Sequence, residues 1–351
     1  MKINRNICRA GIAGALALSL LMTAGCGIFS EETSREIDPP QIRYEDGLED
    51  SADEQTMEQG QQSQITVYLK DRHGYIAPVT LLTTQEEEKK SEQLALEMMI
   101  DGGAYSDLLP EGFQPVLPKG TEIRTLNIVK DQQLAIVDLS EAFADYNIQD
   151  ERRIVEAVTW TLTGFPEIER VQLWHEGEEL KEMPVDGFPL QDPLTRHIGI
   201  NLEAAKGIDI GRSMAVTLYF SAITPDELQY YVPVTRLINR QEDVAKRAME
   251  QLIAGPMPMT PLVGVMTGDL EVKNVAVQDD LVTVDLYDES YKSGQQMPAE
   301  MLQSVILSIT ENTGAEKVQI QLNGATDVTD TNNRSYSEPV VRPSNVNAIK
   351  S

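Results

Sequence analysis

The stretch Leu134-Ala135-Ile136-Val137-Asp138-Leu139 decides the fold, because a near copy of it returns later as Leu281-Val282-Thr283-Val284-Asp285-Leu286. Both copies are short, rich in β-branched residues and bounded by acidic or turn-forming residues, which is typical of a buried strand. The same order of segments surrounds each copy at nearly the same spacing. The sequence therefore predicts an internally duplicated architecture.

The matching segments extend well beyond these two strands. The pairs are residues 65–69 with 216–220, 78–80 with 233–235, 94–102 with 247–255, 123–139 with 270–286, and 169–173 with 316–320. Each unit shows strand and helix patterns in the order β-β-α-β-β-α-β, so we predict an α+β fold with helices on one face of a small sheet. Helix starts are predicted at Thr84, from its capping-box spacing with Glu87, and at Asn239 with Glu242.

Both units close on three residues with identical spacing. These are Pro193, Arg196 and Asn201 in the first unit and Pro339, Arg342 and Asn347 in the second. The segments that carry them are therefore predicted to be tails of their units rather than free linkers. We place the first domain with its tail at residues 65–215 and the second at residues 216–351.

Residues 1–25 have the pattern of a secretory signal peptide, with a basic start and an apolar stretch too short to span a bilayer comfortably. The segment Thr23-Ala24-Gly25-Cys26 that follows is similar to the lipobox of bacterial lipoproteins. We expect cleavage before Cys26 and attachment of lipid to its thiol, which would anchor the chain to the outer face of a membrane. The alternative is ordinary secretion with Cys26 as a free thiol.

Residues 26–64 are rich in Glu, Asp, Gln and Ser and lack apolar periodicity. This composition predicts a disordered acidic tether with a reach of roughly 35 Å. The second cysteine, Cys8, lies inside the predicted signal peptide. A mature chain with one cysteine would have no intramolecular disulfide, so its stability would come from its cores.

The formal charge is −27, and loss of residues 1–25, which hold three basic residues and no acidic one, would lower it to −30. Such a surface repels nucleic acid and anionic lipid headgroups, so neither is predicted as a partner. An electrostatically steered protein partner is expected to be basic. The alternative is that the charge mainly keeps the protein soluble.

Residues with catalytic or metal-binding chemistry are few. His73, His175 and His197 have no second ligand at metal spacing, and the counterpart of His175 in the second unit is Leu322. There is no phosphate-binding glycine loop before a helix and no serine in a nucleophile elbow. The sequence therefore predicts no metal, no cofactor and no catalytic residue.

Four charged residues remain as possible partner or structural contacts. Asp138 and Asp285 lie near the ends of the two repeated strands, where each could act as an acid/base carboxylate or contact a basic partner. We favour a hydrogen bond from each to the amides of the turn that follows its strand. Arg196 and Arg342 could bind an anion or a carboxylate. We favour the interpretation that each ties its tail onto its own domain.

Several segments together resemble the GerMN domain family of sporulation and germination lipoproteins. They are Cys26 with its lipobox-like context and residues 36–40, 158–163, 179–185, 199–203, 230–235 and 338–343. The resemblance implies an α+β fold similar to the ring-building modules of secretion-type assemblies. It also implies a role in spore formation and germination at the envelope between mother cell and forespore, and it brings no catalytic residues.

Two functions are compatible with these observations. The favoured one is a non-catalytic, membrane-anchored lipoprotein that scaffolds or localises a protein complex of the sporulation envelope. The other is a protein that binds peptidoglycan or modifies the spore cortex or septal wall.

Overall fold

Two long β-hairpins, one at the start of each repeat, form the frame of the protein in a computed structural model that describes residues 62–84, 89–267 and 269–348. The first hairpin pairs β1 (Gln62–Asp71) with β2 (Ile76–Thr84), and the second pairs β9 (Ser213–Ile223) with β10 (Gln229–Asn239). Residues 76–81 of β2 and 232–236 of β10 are buried without a break, so both faces of these two strands are covered.

The remaining elements follow the predicted order in both repeats. In the first repeat they are α1 (Ser91–Glu97), β3 (Phe113–Gln114), β4 (Ile123–Val129), β5 (Leu134–Leu139), α2 (Glu151–Leu162), β6 (Arg170–His175) and β7 (Glu178–Glu179). In the second they are α3 (Val244–Ala254), β11 (Glu271–Gln278), β12 (Leu281–Tyr287), α4 (Ala299–Thr313), β13 (Lys317–Leu322) and β14 (Val340–Val341). Between the repeats lies a short strand, β8 (Glu203–Ala204).

Each repeat builds two small sheets rather than the single one that we expected. The hairpin sheets have the orders β2-β1-β3 and β8-β10-β9, and the second pair has the orders β4-β5-β6-β7 and β11-β12-β13-β14. The repeated stretch Leu134–Leu139 is β5, which pairs antiparallel with β4 and parallel with β6. Its copy β12 has the same two kinds of neighbour. Both antiparallel pairs also carry an irregularity opposite equivalent residues: Ile123/Thr125 lie opposite Leu139 and Asp138, and Val272/Asn274 lie opposite Leu286 and Asp285. The predicted α+β fold is confirmed.

The helices pack their apolar stripes onto these sheets. In α2, Ile154, Val158 and Leu162 are fully buried. In α4, Val305 and Ile309 occupy the positions of Val158 and Leu162, and Ile306 is buried beside them. One continuous cluster of buried side chains runs through both repeats. The repeats therefore share a core.

The tail of the first repeat contributes to the sheet of the second. Strand β8 pairs in parallel with β10, with Glu203 opposite Arg236. The carboxylate of Glu203 lies 2.6 Å from Nε of Arg236, whose side chain is 3% exposed. The tail is thus not confined to its own unit.

A second joint lies at the turn ends of the hairpins. The hydroxyl of Tyr230 donates to the buried carboxylate of Asp71 at 2.7 Å, and the Tyr230 ring packs edge-on against Phe113 at 5.0 Å between centroids. Gly112, with φ of 91°, allows the close approach, because a Cβ there would lie 2.7 Å from Cδ of Pro225.

Two predicted helix starts are wrong. Thr84 is the last residue of β2, paired with Gln62, and Asn239 is the last residue of β10, paired with Ser213. Strand pairing keeps both residues in their hairpins, and α1 begins only at Ser91. Helix α3 starts instead after Asp243, whose side chain accepts from the Lys246 amide at 3.1 Å.

The N-terminal predictions fall almost entirely outside the described residues. The signal peptide, Cys26 and residues 26–61 of the predicted tether lie outside the described residues, whereas residues 62–64 of the predicted tether belong to β1. The described chain enters β1 at Gln62, so the first strand begins three residues before the predicted boundary at Ile65. Within the described ranges, no helix is both long and apolar enough to cross a bilayer.

Candidate functional site

Arg196 is held against helix α2 of its own repeat. Its Nε donates to Oγ1 of Thr163 at 2.9 Å and its Nη2 to the carbonyl of Trp160 at 3.4 Å. The guanidinium lies 4.5 Å from the centroid of the Trp160 ring, within cation–π range. Three contacts thus fix the tail of the first repeat to the end of α2.

Arg342 repeats this arrangement on helix α4. Its Nη1 donates to the carbonyl of Leu307 at 2.9 Å and to Oγ1 of Thr310 at 2.7 Å. The guanidinium lies 5.5 Å from the centroid of the Tyr219 ring. Leu307 and Thr310 are the counterparts of the α2 residues that hold the first arginine, so the two tails dock in the same way.

The two arginines meet at one carboxylate, that of Glu311. Nη1 of Arg196 lies 3.0 Å from both carboxylate oxygens, and Nη2 of Arg342 lies 2.7 Å from Oε2. The hydroxyl of Tyr219 donates to the same oxygen at 3.2 Å. Arg196 therefore ties its tail to both repeats, which the favoured interpretation from the sequence did not include.

Electrostatics keep this cluster charged at neutral pH. Burial works to raise the pKa of Glu311, but the guanidiniums of Arg196 and Arg342 outweigh it and hold that pKa below its usual range. Burial works against the charge of both arginines, yet the pKa of Arg196 is held above its usual value by Glu311, and that of Arg342 by Tyr219 and Glu311. Burial raises the pKa of Tyr219, and of Tyr68 beside it, so both are neutral. The cluster combines two positive charges with one negative charge.

The repeated asparagines form a second pair of joints. The side chain of Asn201 accepts from the amide of Ile76 at 2.8 Å and donates to the carbonyls of Ile76 and Pro233 at 2.7 Å each. Asn347 makes the mirrored set: it accepts from the amide of Tyr231 and donates to the carbonyls of Tyr231 and Pro78, all at 2.8 Å. Each tail thus joins β2 of one repeat to β10 of the other.

Asp138 and Asp285 lie in separate sheets, so the structure does not bring them together. Each is 8% exposed and accepts a backbone amide at 3.0 Å, from Gly177 and from Gly324 respectively. Gly177 follows β6 and Gly324 follows β13, the strands that pair in parallel with β5 and β12. Neither glycine lies in the turn that follows the strand of its aspartate. Asp138 also lies 3.6 Å from Arg124, and Asp285 lies 3.6 Å from Lys273.

The histidines are distributed over the first repeat and its tail. The side chain of His73 accepts from Nε of Arg72, that of His197 bonds to the Thr195 hydroxyl, and the ring of His175 packs near Phe143. Among the described residues, no three His, Cys, Asp or Glu side chains are grouped so as to hold a metal ion.

Comparison of the repeats in the sequence could have found only part of this cluster. Tyr68 and Tyr219 occupy equivalent positions, as Arg196 and Arg342 do. Glu311 was missed because its counterpart in the first repeat is Gly164, so no matched pair of acidic residues marks the site.

Known proteins match the chain over nearly its whole length. The profile of the Germane family, described as sporulation and spore germination, matches residues 66–181 and 217–328. The spore germination protein GerM of Bacillus subtilis (strain 168) is 36% identical over 361 aligned residues, which cover 96% of this chain and 97% of that protein.

A solved structure supports the same assignment. The tandem GerMN domains of the sporulation protein GerM from Bacillus subtilis superpose with a TM-score of 0.76 at 36% identity, covering 82% of this chain and all of that one. The resemblance found in the sequence is therefore confirmed: the chain belongs to the Germane family of sporulation and spore germination proteins and carries two tandem GerMN domains.

Proposed function

We propose that this chain is a membrane-anchored, non-catalytic lipoprotein that scaffolds or localises a protein complex in the envelope between mother cell and forespore. The family supports the setting, since its members are sporulation and spore germination proteins. The observation that carries the scaffold role is the set of polar side chains that connect the two repeats. Arg196 and Glu311 bond to each other across the two repeats, and Asn201 and Asn347 each bond to both repeats. Arg342 holds the same Glu311 from within the second repeat.

A rigid two-module body suits a scaffold, because a fixed spacing between modules presents two surfaces in a constant relation. The acidic surface supports a basic protein partner, and it opposes nucleic acid and anionic lipid. In this proposal, lipid on Cys26 retains the protein at the membrane, and the acidic segment 26–61 holds the two modules away from it.

Cross-linking in cells that enter sporulation, followed by identification of the captured proteins, tests the scaffold role. We expect a small set of envelope proteins to be captured by the wild-type chain. Recovery of only the proteins that an unrelated lipoprotein also captures would contradict the proposal. A Cys26→Ala variant tests the anchor: we expect it in the soluble fraction, and its retention in the membrane fraction would overturn lipid anchoring.

The wall-binding alternative is separated by a second experiment. The purified full chain is sedimented with peptidoglycan, and the wall material is then analysed for released muropeptides. We expect the protein to stay in the supernatant and the muropeptide profile to stay unchanged. Co-sedimentation or new products would favour the peptidoglycan function instead.

A further inference from the structure

A cleft of about 320 Å³ opens beside the two repeated arginines. Arg196 and Arg342 line it together with Gly164, Tyr68, Thr66 and Ser344. The described residues that form its wall include no Asp or Glu. This is unusual for a chain with 56 acidic and 29 basic residues, so the cleft is a local positive site on an acidic protein.

The carboxylate that pairs with the arginines is turned away from this cleft. Glu311 lines a different cleft, of about 420 Å³, together with Glu316 and the same two arginines. The side chains of Arg196 and Arg342 are each 27% exposed, whereas that of Glu311 is 9% exposed. Glu311 balances only one of the two arginine charges. The remaining positive charge is accessible from the cleft of about 320 Å³, whose described wall has no acidic residue.

The equivalence of positions in the two repeats indicates where a second carboxylate would fit. Glu311 follows Thr310 in α4, and the equivalent position after Thr163 is Gly164. A Cβ on Gly164 would lie 3.9 Å from Nη2 of Arg196. The second repeat supplies a carboxylate from this position, and the first repeat has no side chain with which to do so.

The arginines also have unused donors. Among the described residues, Nε of Arg342 and one N–H of Arg196 Nη2 have no hydrogen-bond partner. Guanidinium–carboxylate pairs are among the strongest hydrogen bonds in proteins, and an uncompensated, partly buried charge is costly. We propose that this cleft binds a carboxylate of an acidic peptide segment between Arg196 and Arg342, on the side of Gly164.

Two sources can present this chemistry. One is the acidic part of the chain's own N-terminal segment, because the described chain begins at Gln62, two residues before the cleft-lining Gln64. The other is an acidic segment of a separate protein. The inference goes beyond the proposed scaffold function and does not depend on it, because it concerns one carboxylate site rather than the complex.

The test follows the Nε–Hε resonances of Arg196 and Arg342 by NMR in the full chain during titration with a capped Ala-Glu-Ala peptide. The matched probe is capped Ala-Gln-Ala. We expect saturable shifts of both arginines with the glutamate peptide and none with the glutamine peptide.

Variants at Gly164 locate the site. Gly164→Glu places a carboxylate where the second repeat has one, so we expect the peptide affinity to fall by about tenfold or more. Gly164→Ala adds the same Cβ without charge and is expected to bind as the wild type does. Equal binding by the Gly164→Glu variant would overturn the assignment, and its thermal unfolding verifies that it is folded.

A third arm identifies the source. In a full-chain variant, the seven acidic residues between positions 45 and 58 are changed to their amides. If the chain's own segment occupies the cleft, the arginine resonances move in this variant before any peptide is added, and its peptide affinity exceeds that of the wild type. If they do not move, the ligand is external. If neither this change nor the glutamate peptide moves them, the proposal is wrong.

Discussion

At the residue scale, the protein depends on a few polar side chains placed where the repeats meet. Glu311 is the clearest case, because two guanidiniums and the Tyr219 hydroxyl all bond to its carboxylate. Removal of one member of a buried ion pair leaves the others uncompensated, which costs more than the pair itself contributes.

We predict that Glu311→Gln lowers the free energy of unfolding by about 2 to 3 kcal/mol, toward the low end for a buried pair because water reaches both arginines. Urea unfolding of the purified full chain measures the change. The matched control is Glu316→Gln, an exposed neighbour whose loss should cost less than about 0.5 kcal/mol. Equal changes in unfolding free energy for the two variants would show that the Glu311 cluster does not stabilise the contact between the repeats.

The same residue gives the cluster a defined pH dependence. The pKa of Glu311 is lowered on folding from its usual 4.5, since the two arginines outweigh the effect of burial. Its contribution to stability is therefore complete above pH 4.5 and disappears as the pH falls through the lower pKa of the folded state.

The difference in unfolding free energy between wild type and Glu311→Gln should thus be constant near neutral pH and shrink toward zero below pH 4.5. Unfolding curves of both proteins from pH 7 to pH 3 test this, and acidic groups common to both cancel in the difference. A difference that grows on acidification would contradict the assigned direction.

At this scale, the sequence marks only those contact residues that occur in both repeats. Comparison of the repeats selects residues that occur twice, so it found both arginines and both asparagines. It gave no signal for Glu311, whose counterpart is glycine. It also could not show that Asp138 bonds to Gly177, because that contact depends on the parallel pairing of β5 with β6.

At the scale of elements, strand and helix order followed from periodicity, whereas element ends did not. Thr84 and Asn239 carry local signals for a helix start, but pairing with Gln62 and Ser213 keeps them in strands. The contact between β2 and β10 could not be predicted from the sequence either. It is made by side-chain amides of the tails, and no periodicity records such contacts.

We predict that Asn347→Ala destabilises the protein by about 3 kcal/mol. The change removes three hydrogen bonds between β2 and β10, worth about 1 kcal/mol each at most, and places alanine at φ of 56°, which costs about 1 kcal/mol. Asn333→Ala is the control, since Asn333 has φ of 64° but is exposed. It should cost about 1 kcal/mol. If urea unfolding gave equal losses of stability for the two variants, the three hydrogen bonds of Asn347 would contribute nothing beyond the backbone conformation.

At the scale of the whole molecule, the duplication produces one body rather than two domains on a linker. The tails exchange contacts in both directions, β8 extends the sheet of the second repeat, and a single core runs through both. This arrangement is the basis of the proposed scaffold role, because only a rigid pair of modules presents two surfaces at a fixed spacing.

The distribution of tryptophan allows a direct test of that claim. Both tryptophans, Trp160 and Trp174, lie in the first repeat, so their fluorescence reports unfolding there, while far-UV circular dichroism reports both repeats. If the repeats form one cooperative unit, the urea transitions seen by the two signals coincide in midpoint and slope. A fluorescence transition displaced from the dichroism transition would show that the repeats unfold separately and would contradict the rigid body.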